Sequence, residues 1–118
     1  MLFRSVEGAG ASRIGILAYG STHWAVVESR DQLRGEQGLE TAYLRLRAYP
    51  FTPEVGEFID RCDRVYVVEQ NRDAQMLSLL KLDCTSEQIA KLRSIRHYNG
   101  LPIDGRSVTT DLSTQEGL

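Results

Sequence analysis

The run Ile14-Gly15-Ile16-Leu17-Ala18-Tyr19 constrains the fold of this chain more than any other feature. A strand with one wet face alternates apolar and polar residues; a continuous apolar run is the pattern of a strand covered by helices on both faces of a parallel sheet. Gly20-Ser21-Thr22 follows as a tight turn and offers a side-chain oxygen to cap a helix beginning near His23. Trp24, Val27 and the stretch from Val26 to Leu33 give that helix its apolar side, and Gly35 or Gly38 ends it in a left-handed cap.

Similar units follow. From Thr41 to Tyr49 the period is two, with Ala42, Leu44, Leu46 and Ala48 on a core face and Tyr43, Arg45, Arg47 and Tyr49 on a mixed one. Pro50 stops that strand, and Thr52-Pro53 starts a helix whose buried stripe is Val55, Phe58, Ile59 and Cys62. Val65-Tyr66-Val67-Val68 is the strongest strand signal and runs into the polar segment Glu69 to Asp73, after which Met76, Leu79 and Leu80 mark another helix. A turn from Thr85 to Ile89 leads to a last strand, Leu92 to Tyr98, closed by Asn99-Gly100 and Pro102. Strands alternating with helices define a three-layer α/β domain with a mostly parallel sheet. The domain covers residues 1–103, and residues 104–118, polar and without an apolar stripe, are expected to form a frayed C-terminal tail.

Composition excludes whole classes of function. At 118 residues and 42% hydrophobic content there is one core and no second catalytic domain. Fourteen basic against sixteen acidic residues leave a net charge of −2, too balanced to collect nucleic acid or anionic lipid. The apolar runs are far shorter than the ~20 residues of a membrane span and no signal segment opens the chain, so a cytoplasmic address is expected. Cys62 and Cys84 stand apart from each other and from metal-ligand spacing, and read as reduced thiols; no metal site is expected.

Chemistry in such a sheet sits beyond the carboxyl ends of the strands, where strand order reverses. If the Ile14 and Val65 strands are neighbours with crossovers in opposite directions, Ser21, Thr22 and His23 meet Glu69, Gln70, Asn71, Arg72 and Asp73 in one crevice. These eight residues are the ligand or interface candidates. The Gly20 turn reads either as an anion site at a helix N-terminus or as a capped entry to a packed helix. The Glu69 loop reads either as a contact for a ligand or partner or as a turn whose Asn71 or Asp73 caps the next helix, with Glu69 and Arg72 paired. Ser21 lacks the flanking glycines of a nucleophile elbow and His23 has no nucleophile beside it, so no catalytic residue is assigned. Arg45 and Arg47 are able to bind a carboxylate or phosphate bidentately, or to form interface ion pairs.

Four segments taken together, Tyr19-Gly20-Ser21-Thr22-His23-Trp24-Ala25-Val26-Val27-Glu28, Tyr43-Leu44-Arg45-Leu46-Arg47 with Pro50-Phe51, Val67-Val68-Glu69-Gln70-Asn71-Arg72-Asp73 and His97-Tyr98-Asn99-Gly100-Leu101-Pro102, resemble one family. It is the C-terminal domain of the alpha subunit of 2-oxoacid:ferredoxin oxidoreductases, of the 2-oxoglutarate type, and more loosely the transketolase C-terminal domain. The resemblance implies a five-stranded mixed sheet of order 1-3-2-4-5, its first strand, Met1 to Val6, antiparallel to the rest. It also implies an assembly that oxidatively decarboxylates a 2-oxoacid with coenzyme A, using thiamine diphosphate, Mg²⁺ and iron–sulfur clusters and passing electrons to ferredoxin.

This chain has no Gly-Asp-Gly with a downstream Asn for the diphosphate and no cysteine set for a cluster. It is therefore expected to bind neither by itself, and Met1 reads as the start of an excised domain or of a split subunit. The leading expectation is a non-catalytic assembly domain whose partners are the other domains, the beta subunit and a second copy of itself. Two other readings stay open: a module binding a small anion such as coenzyme A, and a hydrolase using Ser21 and His23.

Overall fold

The computed structural model describes residues 6–7, 14–19, 22–46, 53–70, 75–96 and 103–118. The elements are β1 (Val6–Glu7), β2 (Ile14–Tyr19), α1 (His23–Gln37), β3 (Thr41–Leu46), α2 (Pro53–Arg61), β4 (Arg64–Glu69), α3 (Gln75–Asp83), α4 (Ser86–Ala90), β5 (Leu92–Arg96) and α5 (Gly105–Glu116). The body of the sheet is four parallel strands in the order β3-β2-β4-β5, and β1 adds an antiparallel edge to β3 through Val6↔Leu44 and Glu7↔Tyr43. Of the strand expected from Met1 to Val6, residues 1–5 lie outside the described set.

The apolar run behaves as its pattern requires. Ile16, Leu17 and Ala18 are wholly buried in the central strand, with Ile16 on one face and Leu17 on the other. Leu17, Leu44, Leu46, Val65 and Val67 pack against Val55, Phe58 and Ile59 of α2 and Leu80 of α3. On the opposite face Ile16, Tyr43, Tyr66, Val68 and Ile95 pack against Ala25, Val26 and Leu33 of α1 and Val108 and Leu112 of α5. Gly15 permits the closest approach, because a Cβ there would stand 2.7 Å from Cys62 Sγ and 3.0 Å from the Phe58 ring. Of the two candidate stops for α1 it is Gly38, at φ 64°, that adopts the left-handed cap and returns its N–H to Arg34 O.

Three expectations are corrected. The segment expected as a turn from Thr85 is a short helix, α4, held by a capping box in which Thr85 Oγ1 accepts from Gln88 N and Gln88 Oε1 accepts from Thr85 N. Trp24 is not on the buried side of α1 but 73% exposed; the inward residues are Ala25, Val26, Ser29, Arg30 and Leu33.

The largest correction is the tail, which is the twelve-residue helix α5 and not a frayed end. Asp104 caps it by accepting from Ser107 N at 2.8 Å, and Gly117 at φ 76° ends it. Its apolar side is only Val108 and Leu112, and the rest of its hold is polar. Gly105 N donates to Glu28 Oε1 at 2.7 Å, Arg106 pairs bidentately with Glu36 at 2.8 and 2.5 Å, and Gln115 Nε2 donates to Ser94 O at 2.9 Å. Thr109 donates its one proton to Gln32 Oε1 at 2.6 Å, so Ser29 must donate to Thr109 Oγ1 at 2.7 Å. At the far end Glu116 takes a two-pronged bond from Arg64, at 2.6 and 2.8 Å, and a third from the Tyr66 hydroxyl.

Candidate functional site

Strand order reverses between β2 and β4. From β2 the chain crosses through α1 to β3 on one side, and from β4 it crosses through α3 and α4 to β5 on the other. The crevice beyond their carboxyl ends is the place where such sheets bind ligands. Thr22 and Gln70 meet there, with Gln70 Nε2 donating to Thr22 Oγ1 at 3.3 Å. Thr22 is 3% exposed and already helical, at φ −61° and ψ −19°, and its hydroxyl makes no capping bond to α1. Its hydroxyl instead bridges two loops.

The other candidates are placed differently. Glu69, 5% exposed, turns its carboxylate onto the start of α3, accepting from Met76 N at 2.5 Å and Leu77 N at 3.1 Å. A carboxylate on the N-terminal N–H groups of a helix satisfies donors that would otherwise lack partners and complements the positive end of the helix. Glu69 thus caps α3. His23 turns to the α1 face of the sheet, where its Nδ1 lies 2.9 Å from the Tyr43 hydroxyl and its ring stacks on Tyr43 at 5.6 Å. Ser21, Asn71, Arg72 and Asp73 lie outside the described residues, as does His97.

A second polar group was less legible from sequence. His23 and Arg30 stand against Tyr43 and Arg45 lies two residues along β3, and the two arginines differ. Arg30 is buried and paired, its Nε donating to Thr41 Oγ1 at 3.1 Å and Nη2 to Thr41 O at 2.7 Å, with the guanidinium 5.8 Å from the centre of the Tyr43 ring. Arg45 is half-buried, and its Nε is buried with no hydrogen-bond partner among the described residues. An unmade bond to a buried donor costs roughly 1–3 kcal/mol, so such a group calls for a reason. Alternation puts Arg45 on the same face as Tyr43, with Ala18 as its small neighbour across the ladder. The period-two pattern of β3 marked this face, but not that a buried Nε on it would lack a hydrogen-bond partner among the described residues.

The thiols are unsuited to nucleophilic work: burial pushes Cys62 and Cys84 above the ordinary thiol range. Among the described residues no group of three or more His, Cys, Asp and Glu side chains gathers to hold a metal ion. No helix of the described residues is long and apolar enough to cross a membrane.

No family model matches the sequence, and no curated protein matches it. Solved structures do. A 2-oxoglutarate:ferredoxin oxidoreductase from Magnetococcus marinus, with 2-oxoglutarate, coenzyme A and succinyl-CoA bound, superposes with a TM-score of 0.82 at 22% identity. The match covers 96% of this chain and 19% of that one, so the present chain spans about a fifth of its neighbour's length. Likeness at this identity establishes the fold alone, an α/β domain with a parallel sheet.

Proposed function

We propose that this chain is the C-terminal, transketolase C-terminal-like domain of the alpha subunit of a 2-oxoglutarate-type 2-oxoacid:ferredoxin oxidoreductase, and that its work there is assembly. The carrying observation is that nearly the whole chain superposes on a fifth of such an enzyme, in agreement with the four sequence segments that resemble the same family. The sheet order β1-β3-β2-β4-β5 with an antiparallel edge accords with that domain type. In the full assembly a 2-oxoacid and coenzyme A become acyl-CoA and CO₂, and the two electrons released reduce ferredoxin through iron–sulfur clusters. Thiamine diphosphate and Mg²⁺ supply the decarboxylation chemistry from other domains. This domain contributes a rigid block whose surfaces meet those domains, the beta subunit and a second copy of itself, in the cytoplasm.

Supplying the chain with 2-oxoglutarate, coenzyme A, thiamine diphosphate and a redox dye tests the division of labour. The expected result is no turnover from the chain alone and dye reduction once the remaining polypeptides of the oxidoreductase are added. Turnover by the isolated chain, or full activity of the remainder without it, would remove the assembly role.

The Thr22–Gln70 bridge beside the start of α1, where the Thr22 hydroxyl makes no capping bond, favours one other reading, a module for an anionic ligand such as coenzyme A. That reading expects saturable binding by calorimetry, weakened by Arg72→Ala; no heat at millimolar coenzyme A eliminates it.

A further inference from the structure

We propose that Gln115 and Arg93 guard the β5 edge of the sheet, and that what they exclude is a second copy of this chain pairing there strand to strand. This goes beyond the assembly role, because it closes one surface of the domain to pairing whatever the other surfaces meet.

β5 is the last strand of the sheet, so one side of its backbone has no strand beside it. Val65 N donates to Lys91 O, and the register with β4 runs unbroken from Val65↔Leu92 to Glu69↔Arg96. In a parallel ladder the N–H and C=O of one residue point to the same side, and successive residues point to opposite sides. Lys91, Arg93 and Ile95 are therefore turned to β4, and Leu92, Ser94 and Arg96 to the open edge.

An open row of this kind is a template for another strand. The strand itself does little to forbid it, since neither a proline nor a bulge interrupts Leu92 to Arg96. Two copies meeting antiparallel about Ser94 set Leu92 opposite Arg96 and Arg93 opposite Ile95. No like charges then face each other directly, and the outward-turned residues of each copy exchange bonds with those of the other. A second copy is the partner whose edge matches, because it carries the same residues in the same register.

The edge is closed by side chains instead. Gln115 Nε2 donates to Ser94 O at 2.9 Å, and Arg93 Nη1 donates to Leu92 O and to Ala90 O, each at 2.9 Å. The outward acceptors Leu92 O and Ser94 O are thus both taken. Gln115 is held in position: its amide also donates to Asp111 Oδ1 at 3.0 Å, one turn back, and the next residue, Glu116, is fixed to β4 by Arg64 and Tyr66. The last turn of α5 is a strap across the end of the sheet.

Sedimentation velocity on the 118-residue chain tests the guard by comparing the parent, the double variant Arg93→Ala with Gln115→Ala, and that variant with Ser94→Pro added. The Ser94 N–H points away from β4, so proline there spares the ladder and blocks the pairing. The double variant is expected to self-associate on the order of tenfold or more tightly than the parent, and Ser94→Pro to return it to the parent's value. Gln115→Ala alone leaves Glu116 and the other anchors of α5 in place, so it keeps the fold and should show the same change to a smaller extent. Unchanged association in Gln115→Ala and in the double variant would overturn the guard. So would tightened association that Ser94→Pro leaves in place, which marks general exposure of apolar surface, or a parent dimer that Ser94→Pro dissolves, which means that the edge is open.

Discussion

On one face of the sheet α2 and α3 set Val55, Phe58, Ile59 and Leu80 against Leu17, Leu44 and Val67, with scarcely a polar group between them. On the other, α1 and α5 meet across Ser29, Gln32 and Thr109, Glu28 and Gly105, and Arg106 and Glu36, and α5 is tied to the sheet by Glu116. The first face is stabilised by area removed from water, which is non-directional and tolerant of small shifts. The second depends on geometry, because each buried polar atom must meet its partner or remain unsatisfied at a cost. His23, bonded to the Tyr43 hydroxyl, and Arg45, on the Tyr43 side of β3, belong to this polar face as well.

Substitutions on the two faces should therefore differ in size and in kind. Phe58→Ala is expected to cost about 3–5 kcal/mol by urea unfolding, through the cavity left between α2 and β2. A loss under 1 kcal/mol would mean that the apolar face does not dominate stability. Gly105→Ala should cost about 1–3 kcal/mol, because the added Cβ would lie 2.3 to 2.6 Å from the Glu28 side chain. Hydrogen exchange should show protection lost in α5 first, and uniform loss would show that α5 does not detach as a unit.

A pH titration separates the faces further. The hydrogen bonds from Arg64, and secondarily from Tyr66, hold the Glu116 carboxyl below its usual range against the opposing effect of burial. Burial, then the Glu116 carboxylate, keeps the Tyr66 phenol protonated well above the usual phenol range. Since the folded value for Glu116 lies below the unfolded one, its contribution is complete above an unfolded carboxylate pKa of about 4.3 and lost as pH falls through the folded value. Glu116→Gln should cost about 1 kcal/mol at neutral pH, discounted for the half-exposed Arg64, and should flatten the acid limb of the stability curve. An unchanged acid limb would exclude this latch. The smallest effect belongs to Arg106→Ala, whose ion pair with Glu36 is exposed on both sides and should leave the melting temperature within error.

The same contrast explains what could be read from the chain. The apolar run of β2, the alternation of β3 and the stripe of α2 report burial directly, and the three-layer architecture follows from them. Helix α5 is hard to read from sequence because Val108 and Leu112 form only a two-residue stripe; its cap Asp104 and its stop Gly117 are signals, but its polar partners lie on α1, β4 and β5, far away in sequence. At the crevice, adjacency of the Thr22 and Gln70 loops was readable from strand order, whereas the assignment of Glu69 to α3 was not: a carboxylate at a strand end serves a ligand or a helix equally well until the helix start is placed. Trp24 faces solvent against expectation because its position in an apolar-looking segment says nothing about which side of α1 faces the sheet.

The assembly role is tested most directly in extract from the source organism, fractionated by size and followed by peptides of this sequence alongside dye reduction with 2-oxoglutarate and coenzyme A. The account predicts that the peptides and the activity co-elute in one large complex. Elution of these 118 residues as a free, small species apart from the activity would contradict it.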